Sequence, residues 1–556
     1  MTRRNRVYWS QLVSTGLRLS TCLLALLLAL DPSYPSPATA DTAPWSEPVK
    51  ISDETGGWFP DVAADDWGNV HVVWNSLLPE SPGRDRRVSQ SGKVGASTSD
   101  SLLDIQDMTS ALYYSRWDGQ GWSEPNDIAL IGREHALRSA LAVDITGRVH
   151  LAYKGLGTLS PEALGRSTGL GPEDIWYTSA PAGSRPESVT SWLPAKRISR
   201  NPQGYYSDIA IDSRGVIHLI WTESSESGWG IYYSHSTDGG ASWSHRIALD
   251  GSNFVWWYRA SLKVDAQDRL HVLWELTDLG RLNLPFGTAV GSVYALSSDG
   301  GETWIQTKFP ENPSAPVPQQ PVVGVDGNGV ILLVFREQTS DAILYRRSTD
   351  GVLWSQPEPL PGVKLGIARP YDVYDTVTDS AGRVHLVTVG YPASSNTMGL
   401  LYSEWDGQNW SIARIIAESP PFPEYPRLAV GGGNRLHAVW FGGDRESVDR
   451  NPVGIWYSTA QTSAPKVARE SPTVPKLSPA PGALAPATAH ALPTPVQSHG
   501  LEPKPLRSST NPTGTSPARL LDLQRWPVYP VIIGLLASVP LLAASLLAKH
   551  SRVLRR

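Results

Sequence analysis

One pattern of polar and apolar positions returns seven times along the chain. It reads "DVAADDWGNVHVVW" from Asp61, "ALAVDITGRVHLAY" from Ala140, "DIAIDSRGVIHLIW" from Asp208 and "SLKVDAQDRLHVLW" from Ser261. It continues as "VVGVDGNGVILLVF" from Val322, "DTVTDSAGRVHLVT" from Asp375 and "RLAVGGGNRLHAVW" from Arg427. A short run enters an Asp-plus-Gly turn and a Val/Ile/Leu/Trp-rich run follows at once, which predicts a hairpin. A third run then carries aromatics: "LYYS", "IWYT", "IYYS", "VYAL", "ILYR", "LLYS", "IWYS". A second tight turn leads to a fourth run, as in "GWSEPNDIA" from Gly121 and "LWSQPEPLP" from Leu353. Four antiparallel strands per unit, with successive histidines as little as about 52 residues apart, match the blade of a β-propeller. No stretch of this region keeps a 3.6-residue period, and Gly and Pro recur throughout, so helices are excluded.

Counting strands sets the closure. The seventh unit stops after its third strand, "GIWYSTAQ" from Gly454, while a spare fourth strand, "PWSEPVKIS", stands at residues 44–52. The pattern therefore predicts an all-β, seven-bladed β-propeller whose N-terminal strand completes the last blade. Such closure removes an edge that would otherwise lack ladder hydrogen bonds.

The second turn adds a family signature. "STDGGASW" from Ser236 and "SSDGGETW" from Ser297 both fit S-x-D-x-G-x-x-W, and shorter forms pair Asp118 with Trp122, Asp350 with Trp354 and Asp406 with Trp410. This resembles the Asp-box, or BNR repeat, of the sialidase superfamily, and the resemblance extends over the whole repeat region. It implies a structural turn: the Asp caps backbone N–H groups, Gly supplies positive φ and Trp packs into the blade. Family sialidases usually have six blades, so seven units are a departure.

The ends imply export and anchoring. Residues 1–40 read as a signal peptide, with Arg3, Arg4 and Arg6, an apolar core at 23–30 and an A-x-A site at 38–40. The only cysteine, Cys22, lies within it, so the mature chain holds no disulfide and no Cys-ligated metal. The propeller is expected at 41–460, followed by a Pro/Ser/Thr-rich stalk at 461–525 that is too poor in apolar periodicity to fold. Residues 526–548 include about 22 uncharged positions, enough for a transmembrane helix, and the tail 549–556 is basic, which places it in the cytoplasm. The expected localisation is thus a single-pass cell-membrane protein with its propeller outside. The formal net charge of −5 gives no support for nucleic-acid binding.

Chemistry is expected at the face where loops enter the first strands and join the second to the third. The longest insertions fall there, at 77–110, 155–173, 277–292 and 391–397. Aromatic residues crowd the approaches to the first strands: Trp58, Phe59, Tyr205, Tyr206, Trp256, Trp257, Tyr258, Tyr371, Tyr374 and Tyr425. Exposed rings of this kind stack on the apolar face of a sugar, whereas buried ones seal contacts between blades. The leading set of ligand-binding residues is Trp58, Tyr205, Tyr206, Trp256, Trp257, Tyr258, Arg369 and Tyr371.

The family resemblance implies a second set, applicable to a sialidase. Such an enzyme grips a carboxylate with three arginines, here Arg138, Arg259 and Arg427. It attacks with a tyrosine, Tyr258 or Tyr371, assisted by Glu223 or Glu275. An aspartate, Asp61, Asp208 or Asp375, serves as acid. The preferred members are Tyr258, Glu275 and Asp208. The family's F/Y-R-I-P motif is absent, with "WYRAS" at Trp257 and "ARPYD" at Ala368 the nearest approaches. The recurring histidines are spread one per blade, so they predict structural hydrogen bonds and no shared metal; no cofactor motif is present. Three functions follow: recognition of an extracellular glycan or glycoprotein by a monomeric propeller, sialidase-type hydrolysis, or a structural or protein-interaction role in the cell envelope.

Overall fold

A computed structural model describes residues 44–53, 56–77, 110–132, 139–155, 174–200, 204–225, 228–250, 260–278, 288–312, 314–366, 373–444 and 452–467. The described chain forms seven antiparallel sheets. Each repeat supplies one sheet, with its strands in sequence order from the inside outward. Blade 3 is representative: Gly204–Ile211, Ile217–Ser225, Gly228–Ser236 and Ile247–Asp250. Its turn Asp212 accepts the N–H groups of Arg214 and Val216 at 3.0 and 2.8 Å, which fixes the first hairpin.

The ring closes as the strand count requires. Val49–Lys50 lies antiparallel to Pro452–Gln461, with Val49 opposite Tyr457 and Lys50 opposite Trp456. Ser46 N–H donates to Thr459 O and Ile51 N–H to Ile455 O, both at 2.8 Å. The seventh sheet therefore takes its outer strand from the start of the chain.

Blade 6 departs from four strands. Both Val363–Gly366 and Tyr374–Thr378 pair with Val384–Pro392 along the same edge, the first with a register shift between Val363 and Leu365. The first strand of this blade is split in two by the segment between them.

The histidines and Asp-boxes knit blades together. His71, His150, His218, His271, His385 and His437 each place Nδ1 within 2.6–2.8 Å of a third-strand tyrosine hydroxyl: Tyr114, Tyr177, Tyr233, Tyr294, Tyr402 and Tyr457. The Tyr233 hydroxyl also donates to Gly300 O, at 2.9 Å, in the Asp-box of blade 4. In that box Asp299 accepts Thr303 N–H and the Ser297 hydroxyl, and Trp304 packs edge-on against Tyr233 at 5.2 Å between centroids. The same edge-on pairing joins Trp243 to Tyr177, Trp354 to Tyr294 and Trp122 to Tyr457. Every one of these tryptophans meets the preceding blade, blade 1 meeting blade 7. The box is thus an interblade clasp as well as a turn.

After Pro452–Gln461 the packed chain continues to Val467. Thr462 N–H donates to Asn434 O and Val467 N–H to Gly432 O, while Ser380 Oγ donates to Pro465 O. These contacts sit at the first-hairpin turns. Strand polarity therefore puts residues 44–46 and 461–467 at the face of the turns and Asp-boxes, opposite the mouth. The expected transmembrane helix at 526–548 and the signal peptide lie outside the described residues. Among the described residues no helix is long and apolar enough to cross a membrane.

Candidate functional site

The first strands line the central channel, and the opening position of each repeated phrase faces it. Asp61, Ala140, Asp208, Ser261, Val322, Asp375 and Arg427 all border one cavity of about 210 Å³, joined by Lys263 and Tyr374. Because these residues begin their phrases, the cavity lies in the mouth half of the channel.

Its aspartates are held by the neighbouring blade. Asp61 Oδ2 accepts Leu141 N–H at 2.7 Å, Asp208 Oδ2 accepts Leu262 N–H at 2.8 Å, and Asp375 Oδ2 accepts Leu428 N–H at 3.0 Å. First strands of adjacent blades splay apart and do not pair, so a carboxylate supplies the bond that a ladder would have made. Lys263 reaches across from blade 4 to blade 6, donating to Asp375 Oδ1 at 3.0 Å and to Thr376 O at 2.9 Å. Arg427 is buried. It donates to Pro426 O, lies over the Tyr425 ring at 3.8 Å and brings Nε within 3.8 Å of Asp61 Oδ1.

The two ends of this cluster titrate differently. Burial pushes the Asp61 carboxyl up to about 7; Arg427 opposes the rise, while Asp208 and Asp375 add to it. Burial acts on Asp375 in the same sense, but Lys263 and then Arg427 outweigh it and hold that group below its ordinary range. One carboxyl is thus poised between protonation states at neutral pH beside another that stays ionised.

The rim is tighter than an open aromatic shelf. Trp58 is half-buried, whereas Phe59, Tyr206, Tyr374 and Tyr425 are buried. Phe59 packs edge-on against Tyr425 and Phe441, sealing blade 1 to blade 7. Phe59, Gln320 and Tyr425 occupy equivalent bulges with φ of about 50°, a left-handed conformation that costs a non-glycine residue ~1 kcal/mol or more. Tyr374 donates its hydroxyl to Gln319 O at 2.7 Å and accepts Arg336 N–H at 3.0 Å. Tyr205 belongs to the strand Gly204–Ile211.

Of the sialidase-type set, the channel gathers Asp208 and Arg427 together with the alternative acids Asp61 and Asp375. Glu275 is instead buried between blades 4 and 5, where it accepts Gln320 N–H at 2.7 Å and the Thr277 hydroxyl at 3.3 Å. Glu223 receives Trp221 Nε1–H at 2.7 Å and pairs with Arg246. Both glutamates therefore serve as links between strands. Arg138, Trp256, Trp257, Tyr258, Arg259, Arg369 and Tyr371 lie outside the described residues. Among the described residues no cluster of three or more His, Asp or Glu side chains is arranged to hold a metal ion.

Sequence reasoning missed Lys263 and Ser261. The available signal was positional: in "SLKVD" a serine stands where other repeats carry Asp, Ala, Val or Arg, and a lysine where they carry Ala, Gly or Val.

Seven blades, Asp-box turns and a polar channel make the described part of the chain a seven-bladed β-propeller. Residues 184–437 match the family model described as BNR repeat-like domain. No curated protein sequence matches the chain. Among solved structures it resembles a protein of unknown function from Dyadobacter fermentans, at 16% identity over 76% of this chain and 100% of that one, with a TM-score of 0.44. It also resembles the NanB sialidase of Streptococcus pneumoniae, at 13% identity over 75% and 70% of the two chains, with a TM-score of 0.39. The polysaccharide lyase Uly1 aligns at 12% identity over 75% and 99%, with a TM-score of 0.45.

Proposed function

We propose that this propeller is displayed outside the cell and binds a glycan at the mouth of its channel. The supporting observation is the convergence of Asp61, Asp208, Ser261, Lys263, Asp375 and Arg427 from five blades on one cavity. Concave sites with a few convergent polar groups suit a hydroxyl-rich ligand, which needs directional donors and acceptors. Trp58 at the rim offers a partly exposed ring for the apolar face of a sugar. The signal peptide, stalk and anchor read from the sequence supply the extracellular placement, and the packed chain leaves from the face away from the mouth.

A second reading is sialidase-type hydrolysis, favoured by one observation: a carboxyl pushed to about 7 has the protonation behaviour that a general acid needs. The two readings separate in one experiment. The purified protein is applied to a glycan array and incubated with a fluorogenic sialoside. Retention without turnover supports binding; turnover, lost in Asp61→Asn, supports the enzyme. Neither retention nor turnover overturns both.

A further inference from the structure

A second cavity lies at the other end of the channel. It measures about 620 Å³ and is walled by the first strands of blades 4, 5 and 6 with the turns that follow them. The polar side chains of those walls already have partners. The carboxylates of Asp265, Asp326 and Asp379 accept N–H groups of their own turns, and the Thr376 and Thr378 hydroxyls donate to Val323 O and Val325 O. Lys263 is bonded to Asp375 and Ser380 to Pro465 O. The other lining side chains are aliphatic: Val264 and Val377 are half-buried, and Ala266 and Ala381 are exposed. The same character runs round the ring. The residue before the first turn is Ala64, Val143, Ile211, Val264, Val325 or Val430 in every blade but the sixth, which has Thr378. An aliphatic concavity of this size, open to water, is stabilised by an apolar occupant.

The end of the packed chain arrives at this opening. From the third strand Pro452–Gln461, residues 462–467 move inward over the first-hairpin turns of blades 6 and 7. Ser380, which borders the cavity, donates its hydroxyl to Pro465 O and its N–H to Gly433 O at 2.7 Å. Val467 N–H donates to Gly432 O at 2.9 Å. A Cβ added to Gly433 would lie 2.5 Å from Val467 and 2.8 Å from Ser380. Those turns adjoin the innermost strands, so the chain beyond Val467 starts at the rim of the channel. Residues 468–476 read "ARESPTVPK" and lie outside the described residues. Pro472 and Pro475 restrict the backbone to extended forms, which lowers the entropy lost on seating. Val474 stands seven residues past Val467, about 20 Å of extended chain, ample to reach any part of the cavity.

We propose that residues 468–476 seat in this cavity, with Val474 and its flanking prolines against Val264, Val377 and Ala381. The start of the stalk then stops the turn-face end of the channel, and a ligand enters only at the mouth. The inference concerns the end of the channel opposite the proposed glycan site and does not depend on it.

The test is protection of an introduced thiol, which is clean because Cys22 is the only cysteine of the sequence. The full-length protein carrying Cys22→Ser and Ala381→Cys is treated with a maleimide. A control carries Ala241→Cys instead, at the exposed tip of the blade 3 Asp-box. Modification at 381 is expected to be slower than at 241 by ~10-fold or more. Adding Pro472→Ser, Val474→Ser and Pro475→Ser should raise it to the control rate with an unchanged melting temperature. Ala266→Cys repeats the measurement from blade 4 should Ala381→Cys fail to fold. Equal rates at 381 and 241 with the stalk intact overturn the proposal. Protection that survives the serine substitutions overturns it too, assigning the cavity to a second copy where it fades on dilution and to a different segment where it does not.

Discussion

Asp61, at the start of the first blade, and the histidines behind the channel respond to pH in opposite senses. Burial lowers His71 and His437 to about 3 and His218 to about 4, so the folded protein holds them neutral. Their contribution is complete above the ordinary histidine range near 6.5 and is lost as pH falls from there toward 3–4. Asp61 is raised to about 7, so its contribution is complete below the ordinary carboxyl range near 3.8 and is lost as pH rises through 7. Asp61→Asn keeps an oxygen to accept Leu141 N–H but cannot ionise. It is expected to melt close to the parent below pH 3.8 and increasingly above it as pH rises to 8.5. A difference that is constant with pH, measured by thermal denaturation, would show that Asp61 ionises freely in the fold. At the interblade clasp, Tyr233→Phe removes the hydroxyl shared by His218 and Gly300 O, and should cost about 1–3 kcal/mol in urea unfolding. Gly301→Ala should cost more, because its φ is +97° and an added Cβ would lie 2.1 Å from the Tyr233 hydroxyl.

Strands were legible because each repeat states its turns. The Asp-x-x-Gly and Asp-box residues fix both hairpins, and the six histidines mark the second strand so plainly that Leu332 is recognisable as its stand-in. The spare strand at 44–52 was readable by subtraction, and Val49 does lie opposite Tyr457. Less was visible where conformation comes from neighbours. In "WFPDV", "QQPVV" and "EYPRL" the bulge residue, Phe59, Gln320 or Tyr425, stands directly before a proline, a shared position whose positive φ the apolar pattern does not announce. The division of first-strand pairing in blade 6 was likewise hidden. Glu275 looked like a site residue because acids are chemically versatile, but its partner, Gln320 N–H, lies 45 positions away. Deleting residues 44–52 removes the ladder to the last blade and the Ser46–Thr459 and Ile51–Ile455 bonds. It should lower the melting temperature of the entire propeller in a single transition; an unchanged melt would mean that the ring does not depend on its seam.

For the whole molecule, the channel is both mechanical and chemical. The carboxylates that tie blade to blade are also the polar lining of the cavity, so substitutions there change stability and binding together. Asp375→Asn illustrates the coupling: it keeps an acceptor for Leu428 N–H but weakens the hold on Lys263. It should lower stability by ~1–3 kcal/mol in urea unfolding and alter ligand retention at once. Lys263→Met should relieve little of that coupling, since it leaves Asp375 buried without its cation.

The two ends of the packed chain meet on the side away from the opening, and this governs how the protein can be handled. Surface attachment through a tag beyond Val467, or before residue 44, leaves the aperture pointing at the solution, so a sensor chip coated this way should retain full capacity for analyte. Coupling instead through the loop at 391–397, on the rim, should blind it.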